Sequence, residues 1–331
     1  MSGPPTPRSV PAVSRVHRKE YEQAGITDPD LVASYEVCRE LNAQHGKTYY
    51  LATLLLPPGK RPYVHALYGF ARYADEIVDD LDSTLTDHEK AEWLRSWGER
   101  FMQDVRSGTS TDPVCRAVVH TVRRWDIPLE HFEAFLHSMT MDLTVTEYPT
   151  FDDLYEYVYG SAAVIGLQMV PILEPDCPEA YDRAKDLGVA FQLANFIRDV
   201  NEDLDRGRVY LPLDELARFG VTRSDLEKRQ LTPEIKAALR HQIDRVRRLE
   251  RESQPGIEML HPSSRDCIEA ARVLYCGIAD QVEEIDFAVF TKRAKVPLRT
   301  RFWVAFPAWR RARKARKKYG PGKVQGLHPA V

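Results

Sequence analysis

Asp75 and Asp79 stand four residues apart in the run Tyr68-Gly69-Phe70-Ala71-Arg72-Tyr73-Ala74-Asp75-Glu76-Ile77-Val78-Asp79-Asp80, and Asn195, Asp199 and Asp203 repeat that interval further along the chain. On a helix, residues four apart share a face, with Cβ atoms about 5–6 Å apart. Carboxylates that close repel one another unless a cation lies between them. Oxygen-only donors suit Mg²⁺ or Mn²⁺ better than zinc or copper, and Mg²⁺ is usually held by one or two carboxylates together with substrate phosphates. Two such columns facing each other would clamp a diphosphate through bridging metals. A lone pair of this spacing reads more readily as a solvated acidic face. Here both columns sit within apolar helices, and the second adds uncharged Gln192 and Asn195 in line with its carboxylates. A calcium loop is excluded. Asp199, Asn201 and Asp203 fit its first, third and fifth positions, but Leu204 stands where glycine is needed and Tyr210 where glutamate is needed.

The elements that must carry these columns are helices. Apolar residues recur at helical spacing along most of the chain, and strand-like alternation is nearly absent. The pattern predicts helices over 31–46, 61–81, 87–104, 113–125, 129–146, 151–173, 178–204, 233–254 and 263–290. It also gives a short apolar stretch at 49–56, a charged loop at 206–212, and a basic segment at 297–319 that is helical in its second half. Connections are short and no repeat or Gly/Ser linker divides the chain. The expectation is one all-α domain of about ten helices, a bundle with helix-lined interior sites.

The 331 residues include 43 % hydrophobic and 29 % charged side chains, enough for a sizeable core in an ordinary globular protein. Net charge is −3, but residues 287–331 hold thirteen Lys and Arg and no Asp or Glu. The body is therefore acidic and the tail basic, which points the tail toward an anionic partner. Seven of the ten residues from Trp309 to Lys318 are basic, and Trp303 and Phe306 precede them. A solvated tail and docking on an anionic bilayer both remain open. Nucleic-acid binding has no fold motif behind it. The five cysteines are scattered, without a CxxC pair, which fits a reducing cytosol rather than a zinc site or disulfide framework. No run reaches the roughly 18 uninterrupted apolar residues of a spanning helix. Residues 1–17, rich in Pro and Ser, read as a disordered leader, 18–300 as the helical domain, and 301–331 as a basic, membrane-associating tail.

From about Cys38 to Arg299 the sequence resembles the squalene/phytoene synthase family, the head-to-head prenyl transferases. Asp75 to Asp79 resembles the family's first DxxxD, with Tyr68 and Arg72 placed ahead of it. Asp199 to Asp203, followed by Asp205-Arg206-Gly207-Arg208-Val209-Tyr210-Leu211-Pro212, resembles the second motif and its signature. The resemblance implies an isoprenoid synthase-type bundle around a central cavity. It implies that Asp75, Asp79, Asn195, Asp199 and Asp203 hold Mg²⁺, with Tyr68 and Arg72 catalytic beside them. Lys47, Tyr49, Gln192, Arg206, Arg208, Tyr275 and Arg293 would contact substrate. The family's Val-Ala-Gly segment reads Gly160-Ser161-Ala162-Ala163 here.

Segments 51–58 and 302–309 are most similar to bacterial phytoene-forming members. The implied reaction condenses two geranylgeranyl diphosphates through prephytoene diphosphate to phytoene. A protein peripheral to the membrane in the cytoplasm is expected. Two alternatives stay open: squalene or presqualene diphosphate formation from farnesyl diphosphate, and a non-catalytic helical membrane-docking protein. From the residues alone, Tyr68 and Tyr275 could equally be satisfied core tyrosines. Arg72 could simply pair with Asp75 or Glu76 along its own helix.

Overall fold

Helix starts are written into the sequence as caps. Asp28, Asp112 and Thr232 each sit in extended backbone and accept a hydrogen bond from the amide three residues on, and each is followed by proline in the first turn. Thr86, Thr150 and Thr222 cap in the same way and receive a reciprocal carboxylate from the third helical residue. Each such cap contributes about 1 kcal/mol to its helix.

The computed structural model describes residues 13–79 and 85–323, with the side chains of 77–79 outside that set. Its helices are α1 (Arg15–Gln23), α2 (Pro29–His45), α3 (Lys47–Thr53), α4 (Arg61–Asp79), α5 (Asp87–Ser107), α6 (Pro113–Trp125), α7 (Glu130–Met141) and α8 (Phe151–Val158). They continue as α9 (Val164–Leu173), α10 (Glu179–Asp205), α11 (Leu213–Arg218), α12 (Arg223–Glu227), α13 (Pro233–Ser253), α14 (Pro255–Glu258), α15 (Pro262–Glu284) and α16 (Leu298–Tyr319). Among the described residues only two isolated β-bridges occur, so the all-α expectation holds.

Two helices carry the acidic columns, and each is fixed by the face it buries. On α4, Tyr63, Ala66, Leu67, Phe70 and Ala74 are buried. Phe70 meets Phe101 at 4.5 Å, Trp97 at 4.8 Å and Phe132 at 5.4 Å between ring centroids. That aromatic cluster points the 68, 72, 75 stripe the other way. On α10, Val189, Leu193, Phe196, Ile197 and Val200 are buried, which leaves Gln192, Asn195, Asp199 and Asp203 on a second stripe. α10 packs against α9, α13 and α15 and lies at the centre of the bundle.

Between α8 and α9 the helix takes one π turn, Tyr159–Ala163, where the unusual Gly-Ser-Ala-Ala segment falls. Such turns frequently occur at functional sites. Close backbone approach accounts for two glycines here. A Cβ on Gly160 would lie 2.1 Å from the Ala134 carbonyl oxygen, and one on Gly188 of α10 would lie 2.6 Å from that of Ala162. The whole 151–173 stretch is apolar and long enough to cross a bilayer, but 61 % of its most apolar window is buried inside the bundle. It forms a core helix.

Several boundaries differ from those expected. The proposed leader boundary at His17 falls inside α1, because Ser14 caps that helix and His17 Nδ1 lies 3.0 Å from Glu36 of α2. Residues 1–12 lie outside the described set. The boundary at 301 falls inside α16, which is helical from Leu298 and buries Ala308 and Ala312, with α15 as its neighbour. The first half of α16 is thus ordered as helix, where irregular structure was expected. The short helices α1, α11, α12 and α14 carry too few residues for a periodic signal. All five cysteines are free, and all but Cys177 are buried.

Candidate active site

The α4 stripe presents Tyr68, Arg72 and Asp75 together. Arg72 Nη1 donates to Asp75 Oδ2 at 2.5 Å, and its Nε lies 3.4 Å from Glu76 Oε1. His45, at the end of α2, reaches the same Glu76 oxygen at 3.4 Å. The within-helix pairing of Arg72 is therefore real, and it holds the guanidinium beside the motif. Asp79 is the last residue of α4, and its side chain lies outside the described set, as does Asp80.

The α10 stripe is more enclosed. Asp199 is gripped from two sides: Arg198 Nε donates to it at 2.7 Å, and Arg293, from the loop after α15, approaches the same Oδ1 at 2.9 Å. The other arm of Arg293 reaches Glu202 at 3.1 Å. Burial, and then the charge of neighbouring Asp199, push the Asp203 carboxyl up to about 8. The positive charges of Arg206 and Arg208 oppose that shift. Gly207 turns the chain at φ +71° so that both arginines return toward Asp203. Arg208 is anchored by donating to the Asp142 carbonyl at 2.8 Å.

Below these charges lies a cavity of about 310 Å³. Tyr68 and Ala71 of α4 face into it together with Gln192 and Asn195 of α10. Its far end is closed by Ala180, Ala184, Gly256 and Ile257. From Ala180 to Asn195 the α10 wall is roughly 22 Å long at 1.5 Å per residue. Most of the lining is aliphatic, and the polar groups gather at one end, as in small-molecule sites generally. Two of those groups, Asn195 Oδ1 and Ser161 Oγ, are buried without a hydrogen-bond partner. An unpartnered buried oxygen costs about 1–3 kcal/mol, so such atoms mark where a ligand or cation completes the structure.

Tyr275 separates this cavity from a second, basic pocket of about 210 Å³. Its ring lies 4.7 Å from Tyr49 and 4.8 Å from Phe191, and Tyr49 lies 6.0 Å from Tyr68. Burial pushes the Tyr49 and Tyr68 hydroxyls up to about 12, so both stay protonated and can donate. The second pocket is lined by Thr48, Arg198, Tyr275, Arg293, Lys295 and Arg301. Lys47 is exposed on the first turn of α3 and lines neither space; its neighbour Thr48 does.

Arg198, Lys295, Arg301, Phe191 and Ser161 were not singled out from sequence. Arg198 adjoins Asp199 and could have been found from that motif. Lys295 and Arg301 lay in a stretch read only for its net charge. Among the described residues no three Asp, Glu, His or Cys side chains converge into a closed metal cage. The donors present are carboxylates and one amide, a set that needs further oxygens from a ligand to complete a hard cation's shell.

The sequence matches the squalene/phytoene synthase family over residues 42–300. It is 36 % identical over 277 residues to phytoene synthase from Arthrospira platensis, covering 80 % of this chain and 88 % of that protein. It is 35 % identical over 291 residues to 15-cis-phytoene synthase from a Synechocystis species, covering 84 % and 85 %. Among solved structures, a ligand-bound dehydrosqualene synthase superposes with TM-score 0.76 at 24 % identity, covering 91 % of this chain and all of that one. A squalene synthase from Alicyclobacillus acidocaldarius superposes with TM-score 0.73 at 24 % identity, covering 80 % and 98 %. With one family matched across most of the chain and its fold reproduced around a charged-mouthed apolar cavity, this protein belongs to the squalene/phytoene synthase family.

Proposed function

We propose that this protein joins two geranylgeranyl diphosphates head to head, through prephytoene diphosphate, to give phytoene and two diphosphates. The observation that carries the reading is the division of the site. Carboxylates, arginines and an unpartnered amide oxygen are collected at one end of an apolar tunnel whose α10 wall matches an extended twenty-carbon prenyl chain in length.

An allylic diphosphate ionises only if the departing charge is met. Arg72, Arg198, Arg293 and the 206–208 loop surround the position the diphosphate would take, and guanidinium groups bind phosphate oxygens in paired geometry. Asp75, Asp79, Asn195, Asp199 and Asp203 would hold Mg²⁺, or Mn²⁺ in its place. The fit rests on the unpartnered Asn195 oxygen and on the carboxyl repulsion registered at Asp203. When bound, the cation would neutralise charge on the diphosphate.

The remaining residues serve the hydrocarbon. When C1 of one substrate ionises, the C2–C3 double bond of the other attacks it, and proton loss closes a cyclopropane. Departure of the second diphosphate opens that ring, joins the two C1 atoms, and a last proton loss forms the central double bond. Tyr49, Tyr68, Phe191 and Tyr275 line the path with aromatic faces that stabilise a passing cation, and the aliphatic walls keep water out. A hydrocarbon product leaves most directly into lipid, so we place the protein peripherally at a membrane surface.

The test is product analysis of purified protein with Mg²⁺ and either geranylgeranyl or farnesyl diphosphate, with and without NADPH. A forty-carbon hydrocarbon from the longer substrate without NADPH is expected. A thirty-carbon product from farnesyl diphosphate alone would move the assignment to the squalene branch, and no turnover would overturn the enzymatic reading.

A further inference from the structure

α16 shows two unlike sides. Toward α15 it offers small side chains, Ala308 and Ala312, both fully buried. Away from that contact it carries Leu298, Phe302, Trp303, Phe306 and Trp309, all exposed; Leu298 is 81 %, Trp303 71 % and Phe302 60 % accessible. At 3.6 residues per turn these five fall within an arc of roughly 140°, so they form one ridge over three turns. Its rings are already ordered against one another: Phe302 stacks on Phe306 at 5.7 Å, and Phe306 on Trp309 at 6.3 Å. Four aromatic side chains with this much accessible surface on one helix are costly to leave in water and call for a partner.

The same stripe then turns cationic. Arg310, Arg313, Lys314 and Lys317 are exposed along the last turns, and the Arg313 guanidinium lies 5.6 Å from the Trp309 ring centroid. No acidic residue occurs on this helix or anywhere after Phe287. Apolar aromatic surface followed by a band of one positive sign is the composition of an interfacial helix, in which rings sit at headgroup depth and Lys and Arg meet anionic lipid. A protein groove would pair such a ridge with apolar surface but gives no reason for so one-sided a charge.

The ridge also lies where it is useful. Arg301 lines the basic pocket together with Thr48 of α3, and Arg316 donates to the Leu56 carbonyl at 3.3 Å. α16 therefore runs beside α3, whose Leu51 is itself 47 % exposed between those two contacts.

We infer that the α16 ridge of Leu298, Phe302, Trp303, Phe306 and Trp309, with the basic band beyond it, is the face that docks on an anionic lipid bilayer. This rests on the peripheral-membrane reading above and assigns it to named residues. It sets the mouth of the site against the bilayer, so that long-chain substrate enters from lipid and hydrocarbon returns to it.

The experiment uses the full chain without substrate, in flotation with vesicles of phosphatidylcholine alone or with a minority of phosphatidylglycerol. Binding should rise at least about tenfold with the anionic lipid and fall as salt is raised. Phe302→Ser with Trp303→Ser should lower it by a similar factor and remove a blue shift of tryptophan emission. Circular dichroism and turnover of detergent-dispersed substrate should stay unchanged, because these side chains pack on nothing. Wild-type protein that fails to bind either vesicle overturns the membrane reading itself. Wild-type binding that survives the double substitution overturns the ridge alone. Equal competition by a mixed-sequence DNA duplex makes the band a general polyanion site and overturns the lipid assignment.

Discussion

Arg293 and Asp199 meet at 2.9 Å across the gap between the loop after α15 and the middle of α10. Arg198 holds the same carboxylate from its own helix. The central carboxylate of the second motif is thus neutralised by two guanidinium groups while no diphosphate is present. Binding of substrate would exchange partners, with the arginines passing to phosphate oxygens and the carboxylate to a cation. Arg293→Ala should lower kcat/KM by about 10²-fold while tightening Mn²⁺ binding to the substrate-free protein, read by electron paramagnetic resonance. Weaker Mn²⁺ binding in the variant would refute the exchange.

Asp203 offers a test of sign. Its carboxyl is raised to about 8, so the folded, metal-free protein binds a proton there that the unfolded chain has released above about 4. The folded state holds more protons in that interval, so metal-free stability falls as pH rises from about 4 to 8. Asp203→Asn should flatten that part of the denaturation profile, keep the protein as stable at neutral pH, and still abolish most turnover. A profile with the same slope in the variant would show that the burial penalty lies elsewhere.

Gly46 joins α2 to α3 in a space that admits no side chain. A Cβ there would lie 2.5 Å from Asn42 Oδ1 and 2.6 Å from Tyr68 Cζ. Gly46→Ala should displace the Tyr68 ring and cost about 1–3 kcal/mol in denaturant titration. Because Tyr68 lines the cavity, kcat should fall as well. A destabilised variant with unchanged kcat would place Tyr68 outside the reaction.

Ala184 sits two turns in from Gln192 on the cavity wall of α10. Ala184→Phe should shorten the tunnel and reduce the preference for geranylgeranyl over farnesyl diphosphate by about tenfold or more in kcat/KM. Equal loss on both substrates would mean that the chain does not reach this depth.

The helical architecture and both motifs were legible because each depends on one period: buried residues at helical spacing place α4 and α10, and the same spacing stacks Asn195, Asp199 and Asp203. Arg293 was found only through its resemblance to a family position. Nothing local links it to Asp199, since the contact depends on how the loop after α15 folds back. Arg198, Lys295 and Arg301 were missed for the same reason. The helical first half of α16 was also missed, because its apolar side chains face outward and its packing face is alanine, which inverts the usual pattern.

The π turn at Tyr159–Ala163 makes residue number itself a design variable. Every wall residue contributed by α9, from Ile165 to Leu173, is phased by that one irregular turn. Removing a single residue from it would leave a good helix and a good core composition, yet rotate α9 by about 100° and present a different set of side chains to the tunnel. In this region insertions and deletions, which ordinarily accumulate in loops without consequence, would act as substitutions at half a dozen lining positions at once.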